Sequence, residues 1–329
     1  MSHTIIVGID GSSNSNGAVQ WAVKHAQMSS AEIRLIAAYT IPGVAMSKSD
    51  IVYPIDFDSA VKDSTKQLAE ATAQVVRDAG VHVTTVVTPG DASGVMVEHS
   101  KSADLAVIGA RGRGGFHGRL LGSVALAMPA HAQCPTVIIP CTWPERPELE
   151  HTAPIDLPVR SSGARQFTDD DRRSRPDFSG EIVAGADPFE AGSPVLREAA
   201  IQARLYGRPL HLVGITSTHI LSPEWMPSET HLQKMYDEAA ARREMEVATL
   251  ADEFPEVEIR WSIFDAPAAE VLVNASYTAD LLIIGSRGRG GFVATLLGST
   301  SQAVMAHAVC PVRVVKVPRR KNAHHRTSE

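Results

Sequence analysis

Residues 103–123 read ADLAVIGARGRGGFHGRLLGS and residues 279–299 read ADLLIIGSRGRGGFVATLLGS, with 15 of the 21 positions identical. The likeness extends outward from this pair. HAQCPTVIIP (131–140) answers HAVCPVRVVK (307–316), and TIIVGID (4–10) answers EIVAGAD (181–187), at a nearly constant offset of about 176 residues. Solenoid repeats run at periods of roughly 20–50 residues, so a period this long indicates duplicated domains. A length of 329 residues agrees, since roughly 150 residues make one domain. Domain one is expected over 1–142 and domain two over 180–318. Between them, residues 143–179 combine many prolines with charge blocks (Asp169, Asp170, Asp171, then Arg172, Arg173) and few aliphatics. Such a composition cannot bury enough surface to offset ordering entropy and reads as a solvated linker, as does the tail 319–329.

Inside each copy the hydrophobic period alternates between strand and helix. Ile5, Ile6 and Val7 form a short β-branched run that reads as a buried strand ending at Gly8-Ile9-Asp10. After the polar GSSNSN, Ala18, Trp21, Ala22 and His25 recur at helical spacing, with Asn14, Ser15 or Asn16 as the expected N-cap. A strand at about 33–38 follows, then a long helix from near Asp58 that stops at Gly80, a strand at 81–87, a short helix near 93–101 and a strand at 104–108. The Gly-rich loop, a helix near 123–131 and a last strand before Pro140 complete the unit. Copy two repeats this order, with Leu232, Met235, Tyr236 and Ala239 marking its long helix. Strands separated by helices need crossover connections, so the sheets are mainly parallel and covered on both faces. The fold class is α/β: two tandem doubly wound parallel-sheet sandwiches, Rossmann-like with flavodoxin-like order.

Composition removes several functions. The formal charge of −6 and 5% aromatic content leave neither the basic surface nor the stacking platforms of a nucleic-acid binder. No apolar run approaches the roughly 20 residues needed to span a bilayer. The opening MSHTIIVGID has no basic n-region, so a cytoplasmic chain is expected. Three cysteines make no disulfide framework.

Ligands of parallel α/β sheets bind beyond the carboxyl ends of the strands, where strand order reverses. Each copy places two features there. One is the end of the first strand, Gly8 with Asp10 and Gly185 with Asp187. The other is the loop Gly109-Ala110-Arg111-Gly112-Arg113-Gly114-Gly115, continued by Arg119 and by Gly122, Ser123 and Val124 at a helix start. Its counterpart is Gly285-Ser286-Arg287-Gly288-Arg289-Gly290-Gly291, continued by Gly298, Ser299 and Thr300. Glycines let several N–H groups converge on one anion, a helix N-terminus adds unpaired donors, and arginines add mobile cationic ones. Together these suit a di- or triphosphate. The loop is no Walker A sequence, since no Lys precedes Ser123 or Ser299, and Gly8-Ile9-Asp10-Gly11 is no G-x-G-x-x-G fingerprint.

The spacing Gly-x2-Gly-x9-Gly-Ser, met at Gly109, Gly112, Gly122, Ser123 and again at Gly285, Gly288, Gly298, Ser299, resembles the universal stress protein family in its tandem-domain form. The resemblance covers about 4–142 and 180–317. It implies ATP at each domain, with Mg²⁺ as an optional companion, the glycine loop around the phosphates, and Asp10 and Asp187 near the ribose. It also implies a homodimer formed through the last strand, here about 135–140 and 311–317, and a regulatory protein partner. Copy two departs from copy one at Pro188, which stands where copy one has Gly11, and at Val293 and Thr295, which replace His117 and Arg119. Site one is therefore expected to bind more tightly.

Each feature also has a plainer reading. The glycine loop serves loop packing alone, the arginines form a solvated surface, and each Asp caps the following helix. His131-x2-Cys134 and His307-x2-Cys310 read as helix ends entering buried strands rather than half metal sites. No paired carboxylates and no nucleophile–base pattern accompany the loop. A nucleotide-binding regulator is the leading reading. The competitors are a slow ATPase or self-phosphorylating protein, with Ser123 or Ser299 as acceptor, and a nucleotide-free scaffold.

Overall fold

The computed structural model describes residues 3–40, 57–113, 121–145, 159–161, 176–186, 194–216, 218, 227–286 and 297–317. Domain one runs β1 (Thr4–Gly8), α1 (Ser13–Ser29), β2 (Glu32–Tyr39), α2 (Phe57–Asp78), β3 (Val83–Pro89), α3 (Ala92–His99), β4 (Leu105–Gly109), α4 (Ser123–His131) and β5 (Thr136–Ile139). After β6 (Arg160–Ser161), domain two repeats it as β7 (Ile182–Ala186), α5 (Pro194–Tyr206), β8 (Leu210–Thr216), α6 (Glu229–Glu253), β9 (Ile259–Asp265), α7 (Ala268–Ala275), β10 (Leu281–Gly285), α8 (Ser299–His307) and β11 (Val312–Val315). No helix among the described residues is long and apolar enough to cross a membrane.

All the strands form one sheet, in the order β3-β2-β1-β4-β5-β11-β10-β7-β8-β9-β6. Within each domain every neighbour is parallel, so order reverses between β1 and β4 and between β7 and β10. The run Ile5-Ile6-Val7 is buried on both sides because helices cover both faces. Ile5 and Val7 contribute to the core under α1 and α2, Ile6 to the opposite core with Met96 and Met128. Helix α1 is capped two to four residues earlier than expected. Its N-cap is Ser12, with extended backbone and a side chain that accepts from Ser15 N, so Asn14, Ser15 and Asn16 lie inside the helix.

The two domains meet along β5 and β11, which pair antiparallel with Val137 opposite Arg313. This corrects the expectation of a homodimer through the last strand. Each last strand has β4 or β10 on one side and the other domain's last strand on its other side, which leaves no free edge there for a second chain. Both cores run across this seam without a break. Lys316 Nζ donates to Ala132 O at the end of α4 (3.1 Å). His25 Nδ1 lies 3.0 Å from the Tyr206 hydroxyl, and burial pushes its imidazole down to about 3, so it is neutral there. Within the stretch 143–179, β6 pairs antiparallel with β9, and Phe178 is buried against the His211 ring.

Candidate functional site

Beyond the carboxyl ends of β1 and β4 lies a cavity of about 510 Å³, within the range of small-molecule sites. Ile9, Ile36, Ala38, Met96 and Ile108 make an apolar wall, while Asp10, Arg111, Gly112, Arg113, Gly122 and Ser123 gather at a polar end. The order reversal produces this division. The crossovers from β1 and β4 leave on opposite faces, so their loops part and a crevice opens between them.

Asp10 ties the two loops together. Its Oδ1 accepts from Ser12 N (2.9 Å) and from the Ser12 hydroxyl (2.6 Å), and its Oδ2 accepts from Arg113 N (2.8 Å). Ser12 in turn caps α1, so Asp10 orients the cap rather than being it. Burial alone would raise the carboxyl. The Ser12 and Arg113 hydrogen bonds outweigh it and hold the group below its usual value of 3.8. A group with a depressed folded value adds stability above its unfolded value and loses it as pH falls through the folded one. Thermal melts of wild type and Asp10→Asn should therefore differ by a constant amount above about pH 5. That gap should shrink as pH falls below about 5, roughly one unit above the ordinary carboxylate value. A gap that closes already at pH 5–6 would show that Asp10 is not held in this way.

Gly112 sits where a side chain cannot. A Cβ there would stand 2.5 Å from Asp10 Oδ2. Gly109 is needed for a different reason, because its Cβ would meet the Asn14 backbone at 2.8 Å. That glycine seats the loop on α1, the plainer of the two readings. Helix α4 begins at Gly122, which has extended backbone and offers no side-chain cap. Its N–H bonds Ala110 O (2.9 Å), fixing the helix start against the loop, and Ser123 and Val124 line the cavity. An uncapped helix N-terminus offers N–H donors and a partial positive charge to an anion.

In domain two, Gly185, Gly285, Gly298, Ser299 and Thr300 occupy the matching positions. Gly298, again without a side-chain cap, donates to Ser286 O (3.0 Å). Ser301 adds a hydroxyl bond to Gly285 O (2.7 Å) that Ala125 cannot make. The rim at the end of β9 differs as well. Asp265 accepts from Thr218 N (2.8 Å), from the Thr218 hydroxyl and from the Tyr236 hydroxyl (3.1 Å). Pro89 is the corresponding residue of β3. Asp187, Pro188, Arg287, Gly288, Arg289, Gly290 and Gly291 lie outside the described residues, as do Gly114, Gly115 and Arg119 of domain one.

The sequence reading missed Ser12 and the wall residues Ile36, Ala38 and Met96. His131 ends α4, and Cys134 is buried with its thiol pushed up to about 11 by burial. No group of three or more His, Cys, Asp or Glu residues is placed to hold a metal among the described residues.

Comparison with known proteins agrees with this architecture. The model of the universal stress protein family matches residues 1–140 and 180–316. A universal stress protein of Mycobacterium tuberculosis is 30% identical over 320 residues, covering 95% of this chain and 96% of its own. A second from that species is 28% identical over 340 residues, with 95% of each chain covered. The crystal structure of a universal stress protein from Archaeoglobus fulgidus superposes with a TM-score of 0.60 at 17% identity, covering 96% of this chain and 97% of its own.

Proposed function

Because the chain belongs to the universal stress protein family, we propose that it binds ATP in domain one and works as a nucleotide-dependent regulator under stress or growth arrest. The observation that carries this reading is the pairing, in one cavity, of an apolar wall with a polar end built from the Gly112–Arg113 backbone and the uncapped start of α4. The wall suits a purine base, and the polar end suits phosphates. Arg111 and Arg113, both exposed at the mouth, supply mobile guanidinium groups for the outer phosphates. Domain two carries the same glycine positions and binds the same ligand more weakly, since Pro188 lacks the N–H that Gly11 offers.

Binding without rapid turnover fits Asp10. Asp10 accepts from Ser12 N, the Ser12 hydroxyl and Arg113 N, all donors of the protein itself, which suits the carboxylate to act as a brace rather than as a proton acceptor for an attacking water.

Denaturing freshly purified protein and identifying the released nucleotide by chromatography and mass spectrometry tests the reading. Between about one and two ATP per chain are expected, with site one filled first, and added ATP should raise the melting temperature by mass action. No released nucleotide together with no thermal shift would leave the scaffold reading in its place.

A further inference from the structure

The seam between the domains is chemically lopsided. Arg313 faces Val137, and these two positions are equivalent in the two sequence copies. The helices beside them follow the same rule, with Trp21, His25 and Ser29 of α1 answering Glu198, Gln202 and Tyr206 of α5. Arg313 is 5% exposed. Its Nη2 lies 2.7 Å from Glu198 Oε1, and the same oxygen accepts from Gln202 Nε2 (2.9 Å). Arg313 Nε and Nη1 and Gln202 Oε1 are buried without a hydrogen-bond partner. Across the seam, His25 of α1 bonds the Tyr206 hydroxyl of α5.

We propose that Arg313 makes domain two accept domain one as the partner of its last strand and reject a second domain two. Two copies of domain two paired in the native register would set Arg313 directly opposite Arg313, with Cβ atoms about 4.5–5.5 Å apart, an arrangement that is destabilising for like charges. Each arginine would bring its own Glu198, so the seam would bury four charges where it now buries two. Two long side chains would also compete for volume that Val137 leaves to one. Buried donors that already lack partners would double in number, each carrying a desolvation cost. Two copies of domain one fare poorly for the opposite reason. Val137 would face Val137 across an underfilled seam, and buried His25 would lose the Tyr206 hydroxyl. The linker also favours pairing within the chain by raising local concentration, but a tether cannot discriminate between partners once it is cut.

Cutting the linker is therefore the test. A protease site introduced into the full-length chain within 146–158 is cleaved, the product is mixed with isotope-labelled cleaved protein, and the pairs are read by native mass spectrometry. Wild-type halves should exchange only into pairs of one domain one with one domain two. In Arg313→Val/Glu198→Gln, which removes both buried charges, self-pairs of domain two should rise at least about tenfold. Val137→Arg leaves domain two untouched and puts arginine on both sides of the native seam, so its cleaved halves should separate at concentrations where wild-type halves stay paired. Statistical pairing of wild-type halves overturns the proposal. So does a folded double variant with unchanged selectivity, or cleaved Val137→Arg halves that hold as tightly as wild type.

Discussion

Replacing Gly112 by alanine is expected to weaken nucleotide binding at domain one by about 10- to 100-fold while leaving the domain folded. The added methyl would sit 2.5 Å from Asp10 Oδ2, a separation that atoms do not tolerate. The flexible partner must yield, and here that is the loop, because Asp10 is anchored by Ser12 on its other oxygen. Displacing the loop breaks the bond from Arg113 N to Asp10. A hydrogen bond to a charged acceptor contributes roughly 1.5–3 kcal/mol, and each 1.4 kcal/mol is about tenfold in affinity. The loss appears in binding rather than in folding, since the loop is exposed at Gly112 while the strands beneath it are buried. Titration calorimetry measures it, with circular dichroism as the check on folding. Gly112→Ala binding as tightly as wild type would contradict the proposed phosphate cradle.

The second large effect lies far from the cavity. Glu246→Ala should destabilise the protein by about 3 kcal/mol, at the low end of the cost of removing one partner from a buried ion pair. Arg243 is 1% exposed and pairs with Glu246 on the buried stripe of α6. It fits there because β8 carries Gly214 beneath it, whose Cβ would stand 3.1 Å from Arg243 Nη2. Removing the carboxylate leaves a guanidinium shut away from water with less compensation. Replacing both residues, Arg243→Met with Glu246→Leu, should recover most of the loss, because an apolar pair of similar volume carries no desolvation cost. Urea unfolding midpoints of the three variants decide it. If the double variant is as unstable as Glu246→Ala, the deficit comes from packing rather than from stranded charge.

Much of the architecture was legible because it rests on local signals that were written twice. Runs such as Ile5-Ile6-Val7 and stops such as Gly80, which has positive φ, are one-dimensional facts, and the repeat tells the reader which of them matter. The glycine loop was legible for the same reason. What escaped was whatever depends on the partner of a residue. Ile36 and Ala38 come from β2 and Met96 from α3, and no spacing rule links the strand to the helix. The long helix of copy two was marked by Leu232, Met235, Tyr236 and Ala239, of which Ala239 is buried. Its buried stripe passes through Ala239, Arg243, Glu246 and Leu250, because two charged residues that satisfy each other can occupy core positions. The last strands were read as the place where a second chain would pair. Hydrophobic pattern says that a strand needs a neighbour, however, and is silent on whether that neighbour belongs to the same chain.

β6 is only two residues long, yet it changes what the far end of the sheet can do. It lies over the outer edge of β9, whereas β3 has β2 on one side and no described strand on the other. Two bare edges would let sheets add end to end without limit, as in a fibre. With one end blunted, stacking would terminate at two molecules joined β3 to β3, because the outward ends of such a pair are both closed. A dipeptide from the connection between the domains thus separates a self-limiting association from an open-ended one.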